Sequence, residues 1–555
     1  MCSSGHEALP QTVGQGGPSR GGMVTSPHAL ATRAGLDILR AGGNAVDAAI
    51  AVTAVLSVVF PHMCGLGGDN FWLIFAANTG ELRALNASGR SGEQASIDAY
   101  AGRDLSAIPA RGALAANTVP GAVSGWEAAH RFGREAMGHS LSWARLLGAA
   151  LAHARDGFPV SPSLAAWSAT NVATTDPELR ALQRFDGFAR TFLHPGGAPY
   201  ACGEILRQPA LAATLQALAT GGAEAFYRGP IAAAIVDGLR AVGGLLTRDD
   251  FASHTADWGE PLRVPYRDCT ACNCPPNTQG FASLELLHIL DRFDVRTLGE
   301  GSADYYHLCI EATKEAFADR DRYLTDPDFA TIPLDLLLSD AHAASQAGRI
   351  DMRHAAPSPC PLDPGGDTVW IGVVDAWGNA VSLIQSLYYD FGSGIVAGDT
   401  GVLLQNRGSF FSLDPGHVNR LEPRKRTFHT LNPAMLLKDG RPFLVYGTMG
   451  GEGQPQTQAA IVTRIVDFGL SPRAAIDAPR WLHGRAWGES VNMLRLENRI
   501  PKSVVDALRQ RGHPVAVVEA YTDLMGHAGA LLLDPDTGTW RGAADPRGDG
   551  AAAGL

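Results

Sequence analysis

The stretch Gly365-Gly366-Asp367-Thr368 followed by the apolar run Val369 to Val374 most constrains what this chain can become. Two glycines and an aspartate loosen the backbone immediately before a threonine. The run it opens, short and β-branched, reads as a buried strand rather than a helix. Asp375-Ala376-Trp377-Gly378-Asn379 then turns the chain, and Ala380 to Leu387 reads as the returning strand. A hydroxyl residue at the head of a buried strand, just after a flexible break, sits where an N-terminal nucleophile would be made. Its hydroxyl can attack the carbonyl of Asp367 to give an ester that water cleaves. The α-amine so released titrates near neutral pH, at about 7.7–8.0, and can take the hydroxyl proton without a histidine. The bland alternative is that Thr368 is an ordinary β-branched strand residue.

Four ordered segments decide between these readings. They are GGNAVDAAIAVTAVLSVVFPHMCGLGGDNFWLI from Gly42, NTVPGAVSGW from Asn117, GDTVWIGVVDAWGNAVSLIQSLYYDFGSGIVAGDTGVLLQNRG from Gly366, and TLNPAMLLKDGRPFLVYGTMGGEGQPQTQ from Thr430. Together they resemble the γ-glutamyltransferase family of N-terminal-nucleophile hydrolases, from about Gly22 to the end of the chain. The resemblance implies a four-layer α-β-β-α sandwich divided between two pieces of one autoprocessed precursor. The large piece would be residues 1–367, with a polar tail over 1–21, and the small catalytic piece 368–555.

The resemblance also assigns roles. Thr368 falls where the family has its processing threonine, seven residues before Asp375, with Asp367 and Thr368 flanking the cut. Ser386 stands where the family has a second threonine that orients the first, and a serine keeps the hydroxyl donor and acceptor. Gly450 and Gly451 match the loop whose backbone N–H groups face the developing oxyanion, where a side chain would block close approach. The positions that hold a glutamyl α-amino group in glutathione-acting members are here Tyr388, Arg407 and Phe410. Arg407 would repel an ammonium and attract a carboxylate, unless it serves as a structural salt-bridge partner. His429 and Thr430 replace two carboxylate-binding serines. Arg90 is nearest to the family's carboxylate-binding arginine but lies out of register.

These departures resemble the branch that includes oxamate amidohydrolase. They favour a small anionic amide, hydrolysed through an acyl-enzyme without a cofactor or metal. The alternatives are a γ-glutamyl hydrolase or transferase acting on glutathione, an acylase on the same scaffold, and an unprocessed, inactive relative. The partners implied are a small-molecule amide and the two pieces of the precursor. A dimer of processed pairs is compatible with this.

Composition narrows the classes further. A net charge of −11, with no basic cluster beyond Arg424-Lys425-Arg426, argues against nucleic acid. That short run reads as a solvated or substrate-facing loop. Met1 to Pro27 has no apolar signal core, and Ala45 to Phe60 is too short to span a bilayer and carries Asp47. The expectation is a cytoplasmic protein with free thiols, not a membrane one. Cys269-Thr-Ala-Cys272-Asn-Cys274 invites a zinc reading, but no second ligand pair follows. Gly65-Leu66-Gly67-Gly68-Asp69 lacks the spacing of a phosphate loop.

Periodicity predicts helices over Pro27–Ala41, Ala45–Phe60, within 140–161, and over 211–221, 224–242, 282–293 and 305–323. After Thr368 it predicts strands at 369–374, 380–387 and 401–405, a hairpin around Lys438-Asp439-Gly440, and strand-like alternation from Val515 to Arg541. Residues 341–364 read as a mobile linker.

Overall fold

A computed structural model describes residues 17–174, 182–357, 367–484 and 492–555. Two antiparallel sheets form its centre. The first has seven strands in the order 551–554, 22–26, 367–375, 380–388, 69–76, 81–87 and 257–259. The second has six, ordered 539–544, 528–534, 441–448, 434–438, 269–273 and 262–266. Both sheets draw strands from either side of Asp367–Thr368: in the first 22–26 lies between two later strands, and in the second four later strands stand beside two earlier ones, so each sheet is completed only by both parts of the chain.

The period of two in these strands builds three apolar layers. Val369, Ile371 and Val373 face one way, toward Val52, Val55 and Val59 of the helix Ala45–Val59. Trp370 and Val374 face the other way and meet Phe71, Ile384, Met435, Val445 and Leu531 from both sheets. The indole of Trp370 lies where a Cβ on Gly447 or Gly529 would come within 2.2 or 2.4 Å, so both positions must be glycine for the sheets to close. Behind the second sheet, helices Gly280–Leu290, Ala303–Tyr323 and Gly453–Val462 bury Leu284, Leu287, Tyr305, Ile310 and Ile461. The result is the four-layer α-β-β-α sandwich expected.

Local chemistry explains the elements that position the site. Asn44 caps the helix Ala45–Val59 by accepting the N–H of Asp47 at 3.0 Å. Asp375 adds a second cap from the nucleophile strand, accepting the N–H of Ala45 at 2.9 Å. Its other oxygen accepts the N–H groups of Trp377 and Asn379, both at 3.0 Å, which closes the turn between the two central strands.

Three expectations need correction. Residues 401–405 do not form a ladder strand; only isolated bridges form, Leu403 with Val396 and Leu404 with Gly67. Glycines 394, 398 and 401, all at positive φ, curl this segment instead. The segment read as a linker contains the helix Asp340–Arg349, capped by Ser339 and burying Ala343 and Gln346. Its alanines outweigh the proline and glycine that follow; 358–364 lie outside the described residues. The helix expected over 224–242 is broken, because Pro230 starts a new helix and has no N–H to continue the old one.

Candidate active site

The alternation that builds the inter-sheet core also builds the site at its end. Thr368 shares the face of Trp370, Ser386 that of Ile384, and Asp69 that of Phe71. All three therefore lie on the inter-sheet face, on three neighbouring strands. Ser386 pairs directly with Asp69 across the ladder. Between Val369–Gln385 and Asp367–Tyr388 the register slips by one, so Ser386 and Leu387 oppose Thr368 alone. Such a bulge re-aims side chains at the end of a ladder. It is accompanied by a positive φ of 82° at Tyr388, whose N–H donates to Ser386 Oγ at 2.7 Å.

Thr368 is buried, with 1% of its surface exposed, and its hydroxyl has no partner among the described residues. Arg407 opens a single 3-10 turn, Arg407–Phe410. Its neighbour Asn406 fastens that turn to the end of the returning strand, donating its N–H to Leu387 O at 3.1 Å and accepting from Tyr389 N at 2.9 Å. The guanidinium carbon sits 4.1 Å from the Tyr388 ring centre, and none of its three nitrogens meets an acceptor among the described residues. Burial pulls its pKa down to about 10, against the opposing field of Tyr388 and Asp69. A buried cation whose donors find no acceptor is costly even over a ring face, and one presenting a planar fork of donors matches a carboxylate.

His429 lies beside it, edge-on to Phe71 with ring centres 5.1 Å apart. Its Nε2 is 3.0 Å from Asp69 Oδ2. Burial, and next the charge of Arg407, hold its pKa down to about 4, so the ring is neutral near pH 7. With Nε2–H donated to the Asp69 carboxylate, Nδ1 is left as a lone pair, and it is buried without a partner among the described residues. The Thr430 hydroxyl is likewise buried and unpartnered. Phe410 packs edge-on against Tyr388 and Phe428 at 5.4 and 4.7 Å, walling the aromatic side.

The glycine pair follows the strand Arg441–Thr448. Gly450 and Gly451 have φ of 120° and 51°, conformations that side chains resist. Glycine is thus required by the backbone itself.

Arg90 is the exception. Its guanidinium contacts Asp326 at 3.1 Å, Asp328 at 2.9 Å and Asp257 at 3.7 Å and is a third exposed, so its charge is already answered. The basic run is solvated only at Arg424, which pairs with Glu93 at the surface; Lys425 donates to the carbonyls of Val418 and Arg420, and Arg426 Nε to that of Ser88, both from buried positions. The cysteines do not converge on one ion, because Cys269 faces the outer helices while Cys272 and Cys274 face the inter-sheet core. Burial pushes the Cys269 and Cys272 thiols up to about 12. His307, Glu311 and His513 come close enough to share a metal. Lys314, however, already neutralises Glu311 at 2.7 Å, and the two imidazoles bond one another at 2.8 Å.

Two residues of the site escaped the sequence reading. Asp69 accepts the N–H groups of Gly89 and Gly121, both at 3.0 Å, besides its contact with His429. Gln279, fully buried, reaches the carbonyls of Thr430 and Gly451. The available signal for Asp69 was parity, since it shares the strand face of Phe71. Gln279 gave none. Among the described residues no helix is long and apolar enough to cross a membrane.

Comparison with known proteins fits this geometry. The gamma-glutamyltranspeptidase family pattern matches residues 31–555. A Bacillus subtilis glutathione hydrolase-like YwrD proenzyme is 48% identical over 96% of this chain and 98% of its own length. An oxamate amidohydrolase proenzyme of Klebsiella pneumoniae is 46% identical over 96% of this chain and 98% of its own. Cephalosporin acylase from Bacillus halodurans superposes with a TM-score of 0.88 at 36% identity, covering 100% of this chain and 99% of the acylase. Nearly end-to-end likeness in both sequence and fold leaves one conclusion: the chain belongs to the gamma-glutamyltranspeptidase family of N-terminal-nucleophile hydrolases.

Proposed function

We propose that the protein is an autoprocessing amidohydrolase in which Thr368 is the nucleophile and the substrate is a small amide bearing a carboxylate, such as oxamate. The observation that carries this is Arg407, a buried guanidinium with no acceptor among the described residues. A carboxylate placed there would satisfy its donors in bidentate fashion. A γ-glutamyl substrate would instead bring its α-ammonium toward a cation. The neutral His429, with a lone pair on Nδ1, suits an amide N–H rather than a second carboxylate. The named activity of the Klebsiella relative agrees with this reading.

Processing would begin with attack of Thr368 Oγ1 on the Asp367 carbonyl carbon. The Asp367–Thr368 C–N bond breaks as the C–O bond forms, and water then cleaves the ester. This yields residues 1–367 with a free carboxylate and 368–555 with a free α-amine. In turnover the amine takes the Thr368 proton while Oγ1 attacks the amide carbon, and the Gly450 and Gly451 N–H groups meet the oxyanion. The departing nitrogen takes that proton and leaves as ammonia. Water, deprotonated by the same amine, then hydrolyses the oxalyl ester to oxalate. Ser386, already accepting from Tyr388 N, keeps its own proton to donate toward Thr368.

The test compares ammonia released from oxamate with glutamate released from glutathione, for wild type and Thr368→Ala. Wild-type release of ammonia that Thr368→Ala abolishes is the expected result. Turnover of glutathione alone would replace the oxamate reading with γ-glutamyl hydrolysis.

A further inference from the structure

Gly450 and Gly451 can serve as oxyanion donors only if their peptide planes are held, because glycine does not hold itself. In a trans peptide the C=O and N–H point in opposite directions, so whatever grips a carbonyl aims the N–H across the same plane. The plane carrying the Gly450 N–H is gripped through Met449 O, which accepts from Thr448 Oγ1 at 2.6 Å. The plane carrying the Gly451 N–H is gripped through Gly450 O, which accepts from Gly453 N at 2.8 Å. Both grips are local to the loop. The carbonyl of Gly451, in the plane just after the pair, accepts from Gln454 N at 3.3 Å within the loop and, from outside it, from Gln279 Nε2 at 3.0 Å.

Gln279 is placed to transmit position. The same Nε2 donates to Thr430 O at 2.8 Å, and its backbone N–H donates to His429 O at 2.9 Å. One buried side chain thus spaces the glycine loop from the segment that carries His429 and Thr430. Its orientation is fixed, since Oε1 accepts from Arg320 Nη1 at 3.2 Å and a flipped amide would set N–H against guanidinium. Arg320 is itself fully buried, with its guanidinium carbon 3.8 Å from the Phe317 ring centre. Its Nη2 donates to Glu452 Oε1 at 3.1 Å, on the residue after the glycine pair. Gln279 and Arg320 precede Asp367, whereas both loops follow Thr368.

We propose that Gln279, locked by Arg320, is the positioning residue that sets the oxyanion loop against the anion-binding segment, so that the large piece tunes catalysis by groups borne on the small one. This rests on the Thr368 mechanism above, but not on which amide is hydrolysed.

The test uses the full-length processed protein carrying Gln279→Glu or Gln279→Met, with Arg320→Lys as a second site. Both substitutions at 279 keep the length of the side chain and remove its two donors. Each protein is assayed on oxamate and, in parallel, on γ-glutamyl-p-nitroanilide, with cleavage checked by mass. The expected result is complete cleavage, a KM within about threefold of wild type, and kcat lower by about a hundredfold, the scale of an ångström-sized misplacement. Arg320→Lys, which keeps the charge but not the fork, should fall between. Cleaved Gln279 variants with wild-type kcat would overturn the proposal, as would a rise in KM with kcat unchanged. Should the 279 variants fail to fold, Arg320→Lys with wild-type kcat would overturn it equally. A wild type active only on the anilide would remove the oxamate reading and leave this comparison intact.

Discussion

At the scale of single residues, Arg407 makes the sharpest statement, because function and stability pull in opposite directions there. Removing a buried charge whose donors meet no acceptor among the described residues relieves the folded state, while removing the carboxylate's partner weakens binding. Arg407→Leu should raise the KM for oxamate by about a hundredfold, the worth of a charge-assisted pair. Its thermal midpoint should be unchanged or a few degrees higher. Steady-state kinetics and a melting curve on one preparation check both; a lower midpoint with unchanged KM would make Arg407 a structural residue. This arginine was legible in the sequence because a cation stands where relatives hold an ammonium. Asp69 was not, although it touches His429 and spaces two loops. Its partners Gly89, Gly121 and His429 lie 20, 52 and 360 residues away. A lone carboxylate before an apolar run looks like the polar start of any strand.

At the scale of elements, the two central strands and their turn are held by one carboxylate. Asp375 accepts from Ala45, Trp377 and Asn379 backbone N–H groups and from Asn379 Nδ2 at 2.8 Å. Asp375→Ala removes a turn and a helix cap together and should cost about 2–4 kcal/mol, read as a shifted denaturation midpoint. The turn was legible from Asp, Gly and Asn; the cap, made across 330 residues, was not. In the glycine loop, Gly451→Ala must adopt a left-handed conformation at about 1–2 kcal/mol. It should lower kcat far more than KM. Helices with strong caps, such as Ala45–Val59 behind Asn44, were readable nearly to the residue. The segment 401–405 was misread because β-branched and apolar residues were weighed without the glycines that bend it.

At the scale of the whole molecule, the inter-sheet layer sets stability and acid sensitivity sets its limits. Trp370→Ala would open a cavity between the sheets opposite Gly447 and Gly529 and should cost about 3–5 kcal/mol. Burial holds His28, His254 and His429 at about 4, and His483 and His513 at about 3, all below the ordinary 6.5. At these five histidines the unfolded chain therefore binds more protons than the folded one below about pH 6.5, a loss that the raised carboxyls of Asp47, Glu285, Asp375 and Asp549 offset only in part. Stability is full above that value and is lost as pH falls toward 4, which melting curves across this range would show; a flat profile would contradict it. Both sheets hydrogen-bond strands from before Thr368 to strands from after it, so a cut there should leave the assembled fold standing. The central claim is that this cut happens and makes the nucleophile. Its most direct test is the intact mass of freshly purified protein under denaturing conditions, with the N-terminus of the smaller piece sequenced. The 58.4 kDa chain should appear as pieces of roughly 39 and 20 kDa, the smaller beginning at Thr368, while Thr368→Ala stays whole. A wild type that stays at 58.4 kDa while hydrolysing its amide would contradict it, since no α-amine would exist to act as base.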